Sequence, residues 1–238
     1  MTCIQGFICA VPTKNRGVFI QHAQKAAQAF HDYGCVAAVE CWGDDVTSCD
    51  VPSFPAAVLA QPDETVVFSW YVWPTKDAHD AFMRAMPDDP RLNPETNPMP
   101  FDGKRVIFGA FETVLELGTY LPGGYVDGFV LAVPHARRHE FETFAKTCDP
   151  VFMEHGAHWI MENWGVDVPE GRLTDFRRAV QARPDEAIVF SWVQWADRAT
   201  RDAGNEKIMN DPRLAAFGMP FDSKRLIFGG FQPVVEVG

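Results

Sequence analysis

The chain has 238 residues, 47% of them hydrophobic and 22% charged, with a formal net charge of −11. That composition is ordinary for a soluble globular protein. An acidic surface repels phosphate backbones, which argues against a nucleic-acid partner, and no apolar run approaches the roughly 20 residues of a membrane span.

The opening residues, MTCIQGFICAVPTKN, carry no basic region ahead of their short apolar stretch. They are expected to form a strand rather than a secretory signal, in a cytoplasmic protein. From there Gly6 to Val11 is an apolar run stopped by Pro12. Phe19, Ala23, Ala26 and Phe30 follow at helical spacing and define one apolar helix face, ended by Gly34. Residues 35–43 read as a second strand. Residues 64–73 read as a third strand that is apolar on both faces, so both faces should be covered. A second helix is expected over 77–86 and a fourth strand over 104–116.

The same order then returns. Gly6, Phe7, Ala10, Val11 and Pro12 recur as Gly128, Phe129, Ala132, Val133 and Pro134, and Phe68-Ser69-Trp70 as Phe190-Ser191-Trp192. Phe141, Ala145, Cys148 and Phe152 repeat the helix face, closed by Gly156. Strands are expected at 157–165, 186–195 and 224–237, and a helix at 198–210. Pro150 falls inside the second copy of the first helix and predicts a kink or break just before it, whereas the first copy, with Gln28 there, should run straight. A repeat of this length is a whole domain. The division is 1–117 for the first repeat, 118–124 for a linker with the composition of a flexible connection, and 125–238 for the second.

Strand-helix-strand-strand-helix-strand is the order of a ferredoxin-like βαββαβ unit, whose helices cover one sheet face. The other face is apolar here as well, and the second repeat is its nearest cover. The expected fold class is α+β: two ferredoxin-like repeats packed sheet to sheet as an intramolecular dimeric α/β barrel. Such a chain would be a monomer acting as a pseudo-dimer.

The blocks Tyr125-Val126-Asp127-Gly128-Phe129, Glu162-Asn163-Trp164-Gly165, Val189-Phe190-Ser191-Trp192 and Met219-Pro220-Phe221-Asp222 resemble the small bacterial YbaA-like family, a domain of unknown function. The resemblance runs over nearly the whole chain. It implies a dimeric α/β barrel fused into one polypeptide, and it implies no settled activity. The first repeat departs from the pattern in its long connection, Val51 to Val58.

Chemistry-bearing candidates are few. Glu40 and Glu162 recur in apolar strands, two residues before Trp42 and Trp164. Facing a cavity between the sheets, either carboxyl could act as a general acid or base; the alternative is a structural ion pair or a solvated position. Trp42, Trp70, Trp164 and Trp192 could wall such a cavity or simply be core. Arg177 and Arg178, within a cluster that the first repeat lacks, could anchor an anion or belong to an internal salt-bridge network. Asp102 and Asp222, with Lys104-Arg105 and Lys224-Arg225, read as turns with solvated charges.

Six cysteines, none at matching positions in the two repeats, read as buried thiols. No metal site and no cofactor are expected: His155 and His158 lack partner ligands, and no Gly-rich phosphate loop occurs. The function read from the sequence is the binding of a small apolar or acidic molecule between the two sheets, with catalysis left open. The alternative is a non-catalytic scaffold or interaction module with a filled barrel interior.

Overall fold

The computed structural model describes residues 2–47 and 52–238; Cys49 and Val51 lie outside them. The first repeat runs β1 (Cys3–Pro12), α1 (Arg16–Asp32), β2 (Ala37–Asp45), α2 (Phe54–Ala57), β3 (Glu64–Trp73), α3 (Lys76–Ala85) and β4 (Ile107–Gly118). The second runs β5 (Tyr125–Pro134), α4 (Arg138–Glu154), β6 (Ala157–Asp167), α5 (Phe176–Ala179), β7 (Glu186–Trp195), α6 (Arg198–Met209), α7 (Pro212–Ala216) and β8 (Ile227–Val237). Oxygen-bearing side chains cap the helices other than α1 and α4. Thr75 accepts from the Ala78 amide at 3.1 Å before α3, and Asp197 from the Thr200 amide at 2.7 Å before α6.

All eight strands close one antiparallel barrel in the order β1-β3-β2-β8-β5-β7-β6-β4. Each repeat contributes a sheet of ferredoxin-like order, β4-β1-β3-β2 and β8-β5-β7-β6. The seams between repeats are β2 on β8 and β4 on β6, and both are bulged. A bulge bends and twists a strand locally, which helps a sheet to curve closed.

The period of two along β3 and β7 sorts their side chains. Phe68, Trp70, Phe190 and Trp192 point into the barrel, where they join one buried cluster with residues of both repeats. Phe68 stacks on Phe190 and Trp70 on Trp192, each pair with ring centroids 4.5 Å apart. The short helices α2 and α5 close one end. Phe54 lies edge-on to Phe68 and Phe231, Phe176 edge-on to Phe111 and Phe190, and the Thr174 hydroxyl donates to the Ala57 carbonyl at 2.5 Å. Near the other end Tyr120 packs edge-on against Trp159. Among the described residues, side chains of both repeats therefore pack into the space between the two sheets, where the sequence reading expected a pocket.

Three local expectations change. Of the kink or break expected at Pro150, the break does not occur: the helix α4 continues through it to Glu154. The connection at 119–124 is pinned: the Leu121 amide donates to Gln194 Oε1 and Gln194 Nε2 donates back to the Leu121 carbonyl, both at 2.8 Å, while the Gly123 amide reaches Glu236. Arg105 and Arg225 are not solvated turn charges. Each grips a glutamate two-pronged, Arg105 on Glu64 at 2.7 Å and Arg225 on buried Glu186 at 2.6–2.7 Å. The guanidinium pulls the Glu186 carboxyl down to about 2.

Candidate functional site

Alternation along β2 and β6 puts Glu40, Trp42, Glu162 and Trp164 on the outer barrel face, beneath α1 and α4. The neighbouring Cys41 and Met161 point inward. Trp42 and Trp164 each lie under an arginine from the start of the covering helix, Arg16 at 5.8 Å and Arg138 at 5.3 Å from the ring centroid. Trp164 also packs against Phe141. Trp70 and Trp192 are on the opposite, inner face, so Trp164 and Trp192 do not share one pocket wall. Arg177 and Arg178 are elsewhere again. Arg177 donates to the Glu186 and Arg183 carbonyls at 3.0 and 2.6 Å. Arg178 bonds the Gly171 carbonyl at 2.6 Å and pairs with Asp175 at 2.8 Å. These two arginines tie their own loop together and do not reach Glu162.

Glu162 does meet a cavity, on the helix side of the sheet. It encloses about 200 Å³ between β5, β6, β7 and α4, with the segment 214–226 over it. Phe129 and Leu131 come from β5, Phe141, Phe144 and Phe152 from α4, and Val193 from β7. Leu214, Met219, Phe221 and Leu226 complete the wall. This volume suits an apolar body of one or two rings. The polar groups on the wall are Glu162, Ser191, Asp149 and the Cys148 thiol.

These groups form a chain of consequence. The Ser191 hydroxyl donates to Glu162 Oε2. Burial pushes the Glu162 carboxyl up to about 7, with the Ser191 hydrogen bond opposing that rise. Asp149, 7% exposed, has its Oδ2 buried without a hydrogen-bond partner. Burial first, and the charge of Glu162 second, raise its carboxyl well above the usual range. Burial and both acids push the Cys148 thiol up to about 12, so it stays a thiol. Two carboxyls in one apolar wall titrate as a pair, and burial favours the protonated form of each.

The first repeat has the same glutamate without the space. Ser69 and Tyr71 both donate to Glu40, and burial raises its carboxyl. The Tyr71 ring lies edge-on to Phe7 at 5.2 Å and Phe30 at 4.7 Å, occupying the volume that Val193 leaves open in the second repeat. Ala27 stands where the second repeat has Asp149. Sequence reasoning missed Asp149 and Val193. The signal was present in the aligned repeats, as an acid in place of Ala27 within an apolar helix and a small residue in place of Tyr71.

Other features carry less chemistry. The cysteines at 3, 9, 35, 41 and 148 are all free and buried. Among the described residues no cluster of three or more His, Cys, Asp or Glu is placed to hold a metal. No described helix is long and apolar enough to cross a membrane.

Two ferredoxin-like repeats, one closed antiparallel barrel and helices on its outer surface define a tandem α/β-barrel protein. The chain belongs to the family described as "Protein of unknown function (DUF1428)", which matches residues 2–103 and again 124–223. The uncharacterized protein YbaA of Escherichia coli K12 is 48% identical over 114 residues, covering 47% of this chain and 97% of YbaA. YbaA of Shigella flexneri matches to the same extent. The chain is thus a tandem duplication of a unit about the size of YbaA.

Among solved structures, a candidate monooxygenase from Lactobacillus acidophilus aligns with a TM-score of 0.59 at 13% identity, over 99% of this chain and 96% of that one. An anthrone oxidase-like protein aligns with a TM-score of 0.55 at 11% identity, over 99% and 92%. A candidate monooxygenase from Fusobacterium nucleatum gives 0.60 at 10%, over 99% and 93%. At these identities the likeness is one of fold.

Proposed function

We propose that the second repeat binds a small ring-bearing molecule in the cavity beneath α4 and that Glu162 exchanges a proton with it. The observation that carries this reading is the contrast between the repeats. Tyr71 fills the space and satisfies Glu40 in the first, while Val193 leaves space in the second above Glu162 and an unpartnered Asp149 oxygen. A buried acid lacking a partner costs free energy, and a ligand that supplies the partner offsets that cost. A carboxyl titrating near neutral pH beside a hydrogen-bonding serine is suited to general acid–base work. The neighbours described as candidate monooxygenases and as anthrone oxidase-like support a small-molecule role by analogy of fold. In this reading Asp149 orients the bound molecule, Glu40 is a structural relic, and Arg177 and Arg178 have no part. One chain supplies both halves of the barrel and carries one site as a monomer.

The test is binding of ethylbenzene and indole, followed by saturation-transfer NMR, to the wild type and to Val193→Tyr, which copies the plug of the first repeat. Binding by the wild type and a loss of at least about tenfold in the variant is the expected result. Equal binding by both proteins, or none by either, would sink the reading.

A further inference from the structure

We infer that the molecule held under α4 is a hydrogen-bond donor without negative charge, and that a primary amine on an aromatic body is its best-fitting class. This deepens the proposed function and rests on that cavity being a binding site. The polar groups around the cavity divide by element. Asp149 and Cys148 come from α4, Glu162 from β6 and Ser191 from β7, whereas the described lining residues from β5 and the segment 214–226 are all apolar. No Lys, Arg or His is among the described residues that line it. An anionic ligand would enter a low-dielectric space beside two acids with no cation to meet it, and like charges at close range in such a space repel strongly. The acidic ligands admitted by the sequence reading are therefore disfavoured.

The donors and acceptors point the same way. The Ser191 proton is already given to Glu162. What the wall still offers is the buried Asp149 Oδ2, which has no partner and accepts a hydrogen bond once Asp149 is ionised, and the remaining lone pairs of Glu162. An ammonium brings three donors and a charge opposite to that of the acids. Where it displaces a proton from one of the two carboxyls, one positive charge replaces another and the cavity gains no net charge. The ring of the same ligand would lie among Phe129, Phe141, Phe144, Phe152 and Phe221. Aromatic faces near the ammonium add a cation–π attraction that a carboxylate would forfeit.

Four ligands with one body and different heads separate the possibilities: ethylbenzene, phenethyl alcohol, phenethylamine and hydrocinnamate. Their affinities for the full-length protein are measured by calorimetry and saturation-transfer NMR between about pH 5 and about pH 8. Phenethylamine is expected to bind at least about tenfold tighter than hydrocinnamate, with phenethyl alcohol between them. Its affinity should rise with pH as a carboxyl proton is released. Calorimetry in buffers of different ionisation enthalpy reads that proton directly. Asp149→Asn should weaken phenethylamine about tenfold and leave ethylbenzene within about twofold. Hydrocinnamate binding as tightly as phenethylamine, or Asp149→Asn leaving the amine unaffected, would overturn the inference while ethylbenzene binding keeps the cavity reading. Failure of all four ligands, ethylbenzene included, would remove both.

Discussion

Phe68 and Phe190 lie face to face across the barrel, centroids 4.5 Å apart and planes 9° from parallel, and each ring is seated over a glycine of the other repeat. A Cβ on Gly6 would come within 3.0 Å of Phe190 Cε1, and one on Gly128 within 2.8 Å of Phe68 Cε2. The recurring glycines of β1 and β5 are thus explained by the packing of the repeats: each clears room for the other repeat's phenylalanine. Gly6→Ala or Gly128→Ala should destabilise the protein by about 1–3 kcal/mol through overpacking. Phe68→Ala or Phe190→Ala should cost about 3–5 kcal/mol. The two Phe→Ala effects should be non-additive, because the rings share one contact. Urea denaturation of the single and double variants measures all of these. Additive phenylalanine effects would contradict the stack as the central contact.

The acids under α4 give the stability a definite pH dependence. Burial raises the folded-state carboxyl of Glu162 to about 7 and that of Asp149 well above its ordinary value, above the unfolded values of roughly 4. The folded protein therefore holds more protons at this pair than the unfolded chain does. Their contribution is fully present below about pH 4 and is lost as pH rises through about 7. Glu162→Gln and Asp149→Asn should each raise the melting temperature relative to wild type at about pH 8, with little difference at about pH 4. Taking differences from the wild type removes the parallel effect of Glu40, which is raised as well. A wild-type advantage that grows with pH would reverse the assignment.

Arg201 joins the repeats through a buried charge network. Its guanidinium contacts Asp127 at 2.8 Å and, across the seam, Asp45 at 2.7 Å, while the Trp195 indole donates to Asp127 at 3.0 Å. In the first repeat the matching positions are Gln5, His79 and Trp73, and Trp73 donates to Gln5 Oε1 at 3.2 Å. Arg201→Ala leaves Asp127 buried without its cation and should cost about 3–5 kcal/mol. The double variant Asp127→Gln with Arg201→His transplants the two residues that stand at these positions in the first repeat and should recover most of that loss. Thermal unfolding of both variants decides it; no recovery would mean that the charge pair itself is required.

How much could be read beforehand varied with the kind of signal. The spans 64–73 and 186–195 coincide with β3 and β7 because runs that are apolar on both faces leave no boundary in doubt. The same property hid which face each residue takes. With both faces apolar, alternation cannot say whether Glu162 or Met161 looks inward, and the tryptophans that seemed to form one wall divide between opposite faces. The helices α2 and α5 are four residues each, too short for a periodic pattern, although Ser53 and Asp175 cap them. The partner of Arg225, Glu186, is 39 residues away in sequence, and only the antiparallel packing of the strands brings the two together. The cavity was legible only as a difference between the repeats, Tyr71 against Val193 and Ala27 against Asp149. Similarity had drawn attention to the positions where the repeats agree.

The seams suggest a last experiment. Within one repeat β2, β4, β6 and β8 are edge strands, and each is covered in the full chain by the other repeat. A lone repeat would expose two such edges and the inner aromatic face, so it must pair or aggregate. The segment 119–238 expressed alone carries both halves of the Gly–Phe fit, Gly128 and Phe190, so two copies can close the barrel symmetrically. It should sediment as a homodimer with two cavities and bind two equivalents of phenethylamine per dimer. The segment 1–118 carries Gly6, Phe68 and Tyr71 and should dimerise with its volume plugged, binding none. The full chain should sediment at its own 26.6 kDa and bind one equivalent. A tight dimer of the full chain would require an interface beyond the two seams. One-to-one binding by the 1–118 dimer would show that Tyr71 does not close the first site.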